Sequence, residues 1–510
     1  MHLADTLAFW AEQRPDTVAL SFRDRDHTWS DLAARTAEVA HGLAGLGIAH
    51  GERVGILSAN SLEWCTTTLA TLALGGVVVP LNVRLAPAEL SFIVGHSGCR
   101  VVVVDAAHLD RLAAVRHELP DVAVVTVGCA LTGAVRWDDL VAGSASALPP
   151  LPAQATGTDV AFICYTSGTT GRPKGAMLTH HNVILASTQR FVAEAWTSND
   201  RMYLPFPLAF TGGVITCWMA IHVVGGLLVL DDVVDPPRVL DVIVRRRISI
   251  LLAVPVIWDM LTRVPGFDEA DLSSLRLCAS GGAPVPEVLL RTLQDAGIAM
   301  SQGYGLTEGT GMSCSLPASE ALERIGSAGR HFMFNRLVVV RDDGSPAPAG
   351  EVGELLIKGP DVMLGYWRDP DATALAIRDG WLHTGDLATM DADGYVRIVD
   401  RAKDMLISGG LNVYPAEVER VVAAVAGVAE VAVIGVPDDR WGEAPCAIVR
   451  RAPGATVDDT AVLAACRGEL ADYKVPRVVV WRDDELPRGM SGKVLKRELA
   501  VEYAGVRATR

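Results

Sequence analysis

Between Tyr165 and Gly175 the chain gathers the hydroxyls of Thr166, Ser167, Thr169 and Thr170, the glycines Gly168, Gly171 and Gly175, and the cations Arg172 and Lys174. Glycine permits tight turns in which successive N–H groups converge on one anion. With hydroxyl donors and positive charge alongside, such a loop suits a polyphosphate. It is not a Walker A loop, which needs Gly directly before Lys and Ser or Thr after it. Here Pro173 precedes Lys174 and Gly175 follows, so a P-loop kinase or GTPase is excluded.

Further groups suited to nucleotide chemistry follow in order. The run 279–284 is Ala-Ser-Gly-Gly-Ala-Pro, in which Gly281 and Gly282 let a flat ring approach the backbone. In Gly303-Tyr304-Gly305-Leu306-Thr307-Glu308, Tyr304 offers a π face for adenine and Thr307 a hydroxyl for a phosphate. Glu308 offers the hard carboxylate that Mg²⁺ takes alongside phosphates. Asp386 closes the run Trp-Leu-His-Thr-Gly-Asp; Arg401 and Lys403 stand in Asp-Arg-Ala-Lys-Asp; Gly409-Gly410 and Lys493 lie beyond. Singly these read as a strand-ending turn, a polar loop, a capping Asp, a charged linker and a solvated lysine. Together, in this order, they resemble the adenylate-forming superfamily: acyl-CoA synthetases, nonribosomal peptide synthetase adenylation domains and beetle luciferases. The resemblance spans nearly the whole chain.

The resemblance implies an α/β fold: a large N-terminal domain of layered sheets (1–399), a hinge (400–404) and a small mobile α+β domain (405–510). It implies ATP, Mg²⁺ and coenzyme A as cofactors and a small carboxylic acid as substrate. Thr166, Ser167, Gly168, Thr169, Thr170, Gly171 and Lys174 would hold the phosphates. Gly281, Gly282 and Ala283 would border adenine and acyl group, with Gly303, Tyr304 and Gly305 beside them. Asp386 would take the ribose hydroxyls, Arg401 the ribose and phosphate, and Lys403 the hinge position. Gly409 and Gly410 would line the path of the pantetheine arm. Lys493, Thr307 and Glu308 would be catalytic, with Glu308 also the metal ligand. The chain departs from the family where many members carry Pro-Leu-Phe-His and it has Pro207-Leu208-Ala209-Phe210. Phe210, Thr211 and Gly212 are assigned to the acyl pocket; Phe210 as plain core is an equal alternative. The implied reaction is that of an AMP-forming acyl-CoA synthetase for a fatty or other apolar, including aromatic, acid. A carrier-protein-loading ligase, a luciferase-like oxygenase and a nucleotide-binding regulator without catalysis are the other readings.

The rest of the chain must position these groups. Its 510 residues exceed one core and call for two to four structural units. Short apolar runs at 77–81, 101–104, 124–125, 227–230 and 337–340 alternate with Ala/Leu-rich helical stretches, which predicts parallel sheets between helices. The stretch 131–158 reads as a linker, and beyond about 400 a helix (416–425), strands (431–436, 444–451) and a helix (457–470) make a compact unit. A net charge of −15 argues against a nucleic-acid partner. Nine scattered cysteines without a C-x-x-C pair, and an N-terminus without a signal-peptide pattern, point to the cytoplasm. The run 202–230 holds no Asp, Glu, Lys or Arg, yet Pro205, Pro207 and its paired glycines break it, so no membrane span is expected. Peripheral membrane contact and a homodimer both stay open.

Overall fold

A computed structural model of the chain describes residues 1–143, 147–166, 172–282, 285, 287–341, 343–401, 406–413, 415–487, 494 and 496–508. Four sheets organise the described residues. In the first, the strands Val18–Phe22, Leu227–Leu230, Arg201–Leu204, Ile250–Leu252, Leu277–Gly281 and Met300–Leu306 run parallel, and antiparallel strands close both edges. In the second, Val160–Thr166, Val77–Pro80, Arg53–Leu57, Cys99–Asp105 and Ala123–Val127 are parallel, and Lys174–Thr179 folds back antiparallel on Val160–Thr166. The two sheets share one core. Helix Leu62–Ala73, capped by Ser61 Oγ, lies in it and is buried from Trp64 to Ala73. A helix apolar on every side has no face to give to water. Trp64 meets Trp218 edge to face at 5.8 Å between ring centres, and neither ring is exposed.

The third sheet corrects the sequence reading. The apolar run at 337–340 belongs to strand Arg336–Val340, which pairs antiparallel with Gly353–Lys358. Apolar length signals burial, not direction. The stretch read as a linker also holds a short strand, Val135–Arg136, and a helical turn, Trp137–Leu140. Strand Val396–Arg401 pairs with Trp381–Met390 as far as Asp386 opposite Arg401, so sheet pairing enters the segment expected as a hinge.

The fourth sheet, Val428–Asp438, Gly442–Arg451, Val478–Arg482 and two short strands, carries helices Pro415–Ala423 and Asp459–Glu469 and has its own apolar clusters. This small unit meets the large one through a buried charge cluster. Glu89, in the first turn of helix Pro87–Ser97, accepts from the N–H groups of Ala86 and Ala471. Lys474 Nζ lies 2.6 Å from Glu89 and 2.8 Å from Glu417, and all three side chains are buried. Burial, with the Glu89 carboxylate near, pushes the Glu417 carboxyl up to about 7 despite the ammonium.

Candidate active site

Strand Met300–Leu306 delivers Thr307 and Glu308 to its C-terminal end in a single 3₁₀ turn, and the chain reverses through Thr310 and Gly311, both at positive φ. A side chain on Gly305 would run into the carbonyl of Gly311, so close pairing across this reversal demands glycine there. The turn faces the end of strand Val160–Thr166 from the other sheet. Glu308 Oε1 accepts from the Thr166 hydroxyl at 3.3 Å and from the Tyr366 hydroxyl at 2.8 Å. Lys174 Nζ stands 5.1 Å above the Tyr366 ring. The hydroxyls of Thr307 and Thr211 are 3.0 Å apart. Ends of two parallel sheets thus meet at a cluster of hydroxyls, one carboxylate and one ammonium. Strand ends of this kind are where open α/β sheets bind ligands.

Tyr366 was missed by sequence reasoning. Its signal, an aromatic pair after Gly365, resembles any apolar edge strand.

Behind the cluster, the Tyr304 hydroxyl donates to the Asp386 carboxylate, and both residues are buried. The Tyr304 ring packs in the main core, so one end of this side chain is structural and the other aims a carboxylate. The run ending in Asp386 is tied down locally. Thr384 Oγ1 donates to the Leu355 carbonyl and accepts from Asp386 N–H; Glu354 accepts from Gly385 N–H and contacts His383 Nδ1 at 2.9 Å. Ser167, Gly168, Thr169, Thr170, Gly171, Ala283, Lys403 and Lys493 lie outside the described residues, and of Arg401 only its backbone pairing is described.

Next to Thr211 the chain forms a π-helix, Gly212–Met219, continued by the α-helical turn Ala220–Val224. Its wide turns are stitched from outside: Arg190 Nη1 donates to the Thr216 carbonyl at 2.5 Å. Phe210 is half-buried and joins none of the apolar clusters of the described residues, whereas Phe206 packs against the main one. Cys164 neighbours Thr211, and burial pushes its thiol up to about 12.

The small unit reaches the same region. Gly409 sits at φ +59°, and any side chain on it would strike the Trp441 ring. A Cβ on Gly410 would lie 3.8 Å from Val254, and one on Gly282 would lie 3.9 Å from the same residue. The glycine pair therefore stands over the strand end that carries Gly281 and Gly282. Among the described residues no group of three His, Cys, Asp or Glu side chains could hold a metal. A lone carboxylate beside hydroxyls does not make a zinc site but fits Mg²⁺, which completes its shell with phosphate and water oxygens.

Hydroxyls, a carboxylate and an ammonium gathered at the strand ends suit a phosphorylated ligand, and comparison with known proteins agrees. Residues 7–367 match the model of the AMP-binding enzyme family, and residues 417–493 match that of the AMP-binding enzyme C-terminal domain. A feruloyl-CoA synthase from Amycolatopsis sp. is 39% identical over 493 residues, 96% of each chain. The long-chain-fatty-acid–CoA ligase FadD13 of Mycobacterium tuberculosis is 40% identical over 482 residues, 93% of this chain and 92% of that one. An o-succinylbenzoate CoA synthetase from Bacillus subtilis, bound with its product analogue, superposes with a TM-score of 0.87 at 30% identity, covering 97% of both chains. The chain belongs to the AMP-binding enzyme family, the adenylate-forming superfamily.

Proposed function

We propose that this enzyme joins an apolar carboxylic acid to coenzyme A through an acyl-adenylate. The observation that carries the reading is the convergence of Thr166, Thr211, Thr307 and Glu308 at one sheet end, with Asp386 behind them. In the first step a carboxylate oxygen attacks the α-phosphorus of ATP, and the bond to pyrophosphate breaks. The acid becomes a mixed anhydride, a far better electrophile. Thr307, Thr166, Lys174 and the adjoining loop donate to charge that develops on phosphate oxygens, and Lys493 bridges carboxylate and α-phosphate. Asp386 and Arg401 hold the ribose, with Tyr304 aiming Asp386. Mg²⁺, held by Glu308, would neutralise phosphate charge.

In the second step the CoA sulfur attacks the acyl carbon, its proton is lost and AMP departs. The small unit presents Lys493 in one step and Gly409-Gly410 in the other, turning about Lys403 between them. Two observations favour the thioester-forming arrangement for the structure described: Gly410 stands against Val254, and the whole chain is like a synthetase that carries its product analogue.

The acceptor is free CoA rather than a carrier protein on one further observation. A groove of about 190 Å³ at the seam of the units is flanked by Arg111 of the large one and Arg467 of the small one. Two guanidiniums suit the bisphosphorylated nucleotide of CoA, which a carrier's pantetheine arm lacks. Relatives named for feruloyl and long-chain fatty acids both support an apolar acid. The test is AMP formation with ATP and Mg²⁺ across a panel of acids, with and without CoA. Release that needs both acid and CoA supports the reading. Acid-dependent pyrophosphate exchange without any acyl-CoA would favour a carrier loader, and neither activity would favour a regulator.

A further inference from the structure

The turn that carries Thr307 and Glu308 is held from behind by one short segment. Met363 N–H donates to the Glu308 carbonyl at 2.8 Å, and the Thr310 hydroxyl donates to the Asp361 carbonyl. Buried side chains fix that segment in turn. Asn182 donates to the carbonyls of Pro360 and Val362 at 2.8 and 3.0 Å. The Asp361 side chain has no exposure, and its Oδ2 accepts from Asn335 Nδ2 at 2.8 Å and from Gln189 Nε2 at 3.1 Å.

The other edge of this pairing is unbalanced. Asp361 Oδ1 and Asn335 Oδ1 are both buried acceptors with no donor among the described residues. They crowd one spot: a Cβ on Gly359 would lie 2.6 Å from the first and 2.3 Å from the second, so only glycine fits there. The amide cannot turn over to relieve this, because Nδ2 also faces the Ser313 carbonyl at 3.4 Å. Gln189 is fixed likewise, its Oε1 accepting from Phe334 N–H at 3.0 Å. An ionised carboxylate offers only acceptors, whereas a protonated acid carries one O–H donor. A proton on Asp361 Oδ1 turns the two crowded oxygens into a hydrogen bond and closes an acid–amide ring with two bonds. Burial raises the Asp361 carboxyl even though Asn335 and Gln189 donate to it.

We propose, on the reading of the chain as an acyl-CoA synthetase in which Thr307 and Glu308 meet ATP, that Asp361 is a positioning residue for adenylation and that its neutral acid–amide pair with Asn335 fixes the turn presenting them. Asp361 touches no substrate. It acts through the Thr310 hydroxyl and through the segment that ends at Met363. A neutral pair suits this place. A buried anion behind the Glu308 carboxylate would oppose the phosphates of ATP, whereas the protonated acid holds the turn by hydrogen bonds alone.

The test compares two half-reactions: acid-dependent pyrophosphate release from ATP, and thioester formation from synthetic acyl-adenylate and CoA. Asp361→Asn copies the neutral acid in shape and hydrogen bonds, so both rates should stay within about twofold of the wild type. Asp361→Leu is branched like Asp but makes no hydrogen bond. Its adenylation should fall ~10-fold or more, as misplaced reacting groups do, while its thioester step stays within about threefold. Thr310→Val keeps the branched shape and loses only the hydroxyl link. It should show the same split at about threefold or more, which covers the case in which Asp361→Leu does not fold. A purely structural role would lower both steps together. The infrared difference between wild type and Asp361→Asn should contain the carbonyl band of a protonated carboxylic acid. Equal losses in both half-reactions, a loss in Asp361→Asn that matches Asp361→Leu, or absence of that band overturns the role of Asp361 while leaving the ligase reading intact. Absence of pyrophosphate release from the wild type with every acid overturns both.

Discussion

The proposed nucleotide side and the proposed acyl side of the site begin at the same pair of threonines and are built by opposite means. On the nucleotide side the backbone does the shaping. Gly305 meets the Gly311 carbonyl so closely that no side chain fits, and Tyr304 and Asp386 are locked together in the core. On the proposed acyl side the surface next to Thr211 is made by side chains: a π-helix whose Thr216 carbonyl is held by Arg190, and a half-buried Phe210. The first leaves no room for a side chain at its tightest point. The other can be recut without touching the chemistry.

The largest expected effect would isolate the nucleotide side. Lys493→Ala should slow adenylation on the order of 100-fold or more, the loss expected for a missing oxyanion donor. Synthetic acyl-adenylate should still react with CoA; equal loss in both half-reactions would make Lys493 structural. Gly409→Leu should do the reverse, forming acyl-adenylate but little thioester, because the left-handed backbone and the Trp441 ring leave no room for leucine beside the pantetheine path. Normal single-turnover thioester formation by that variant would take the glycine pair out of the CoA channel.

Two milder substitutions should separate the sides. Tyr304→Phe removes the hydrogen bond that aims Asp386; a bond to a charged group is worth ~1.5–3 kcal/mol, so KM for ATP should rise about tenfold or more while the ranking of acids stays put. Phe210→Ala should leave ATP binding alone and shift preference toward bulkier acids in a graded way, since a methylene of pocket is worth only ~1–3 kcal/mol. A folded Phe210→Ala enzyme with an unaltered acid profile would return this residue to the core.

The smallest effect belongs to the seam between the units. With its carboxyl raised from the ordinary 4.5 to about 7, Glu417 holds its proton more tightly folded than unfolded. The stability this group contributes is therefore full below about pH 4.5 and is lost as pH rises to about 7. Melting curves of the wild type should fall relative to Glu417→Gln across that window and run parallel above it. A constant difference would mean that Glu417 stays ionised throughout.

The same contrast governs what could be read from the sequence. Gly305 was legible because a side chain there would meet the Gly311 carbonyl, whereas the role of Asp386 rests on its motif. Arg190 was not legible: with Glu194 four residues on, it looks like an ordinary surface pair on a helix, and only the fold buries it. Glu89, Glu417 and Lys474 were hidden for the same reason, three separate charges that become one buried cluster only when the units meet. The segment 202–230, broken by its prolines and paired glycines, folds into short elements that include the strands Arg201–Leu204 and Leu227–Leu230. Its π-helix follows no apolar period that a 3.6-residue pattern detects. Sites that rest on the residues outside the described range, Lys493 and Lys403 among them, depend on the motif itself.

The cysteines have a consequence for an enzyme that handles a free thiol. All nine are unpaired, and eight are buried. Cys164, the one beside Thr211, has its thiol pushed up to about 12. Thiolate, not thiol, attacks disulfides, so at neutral pH this sulfur is inert toward oxidised CoA that enters the site. Cys164 is thereby kept from capturing the acceptor as a mixed disulfide.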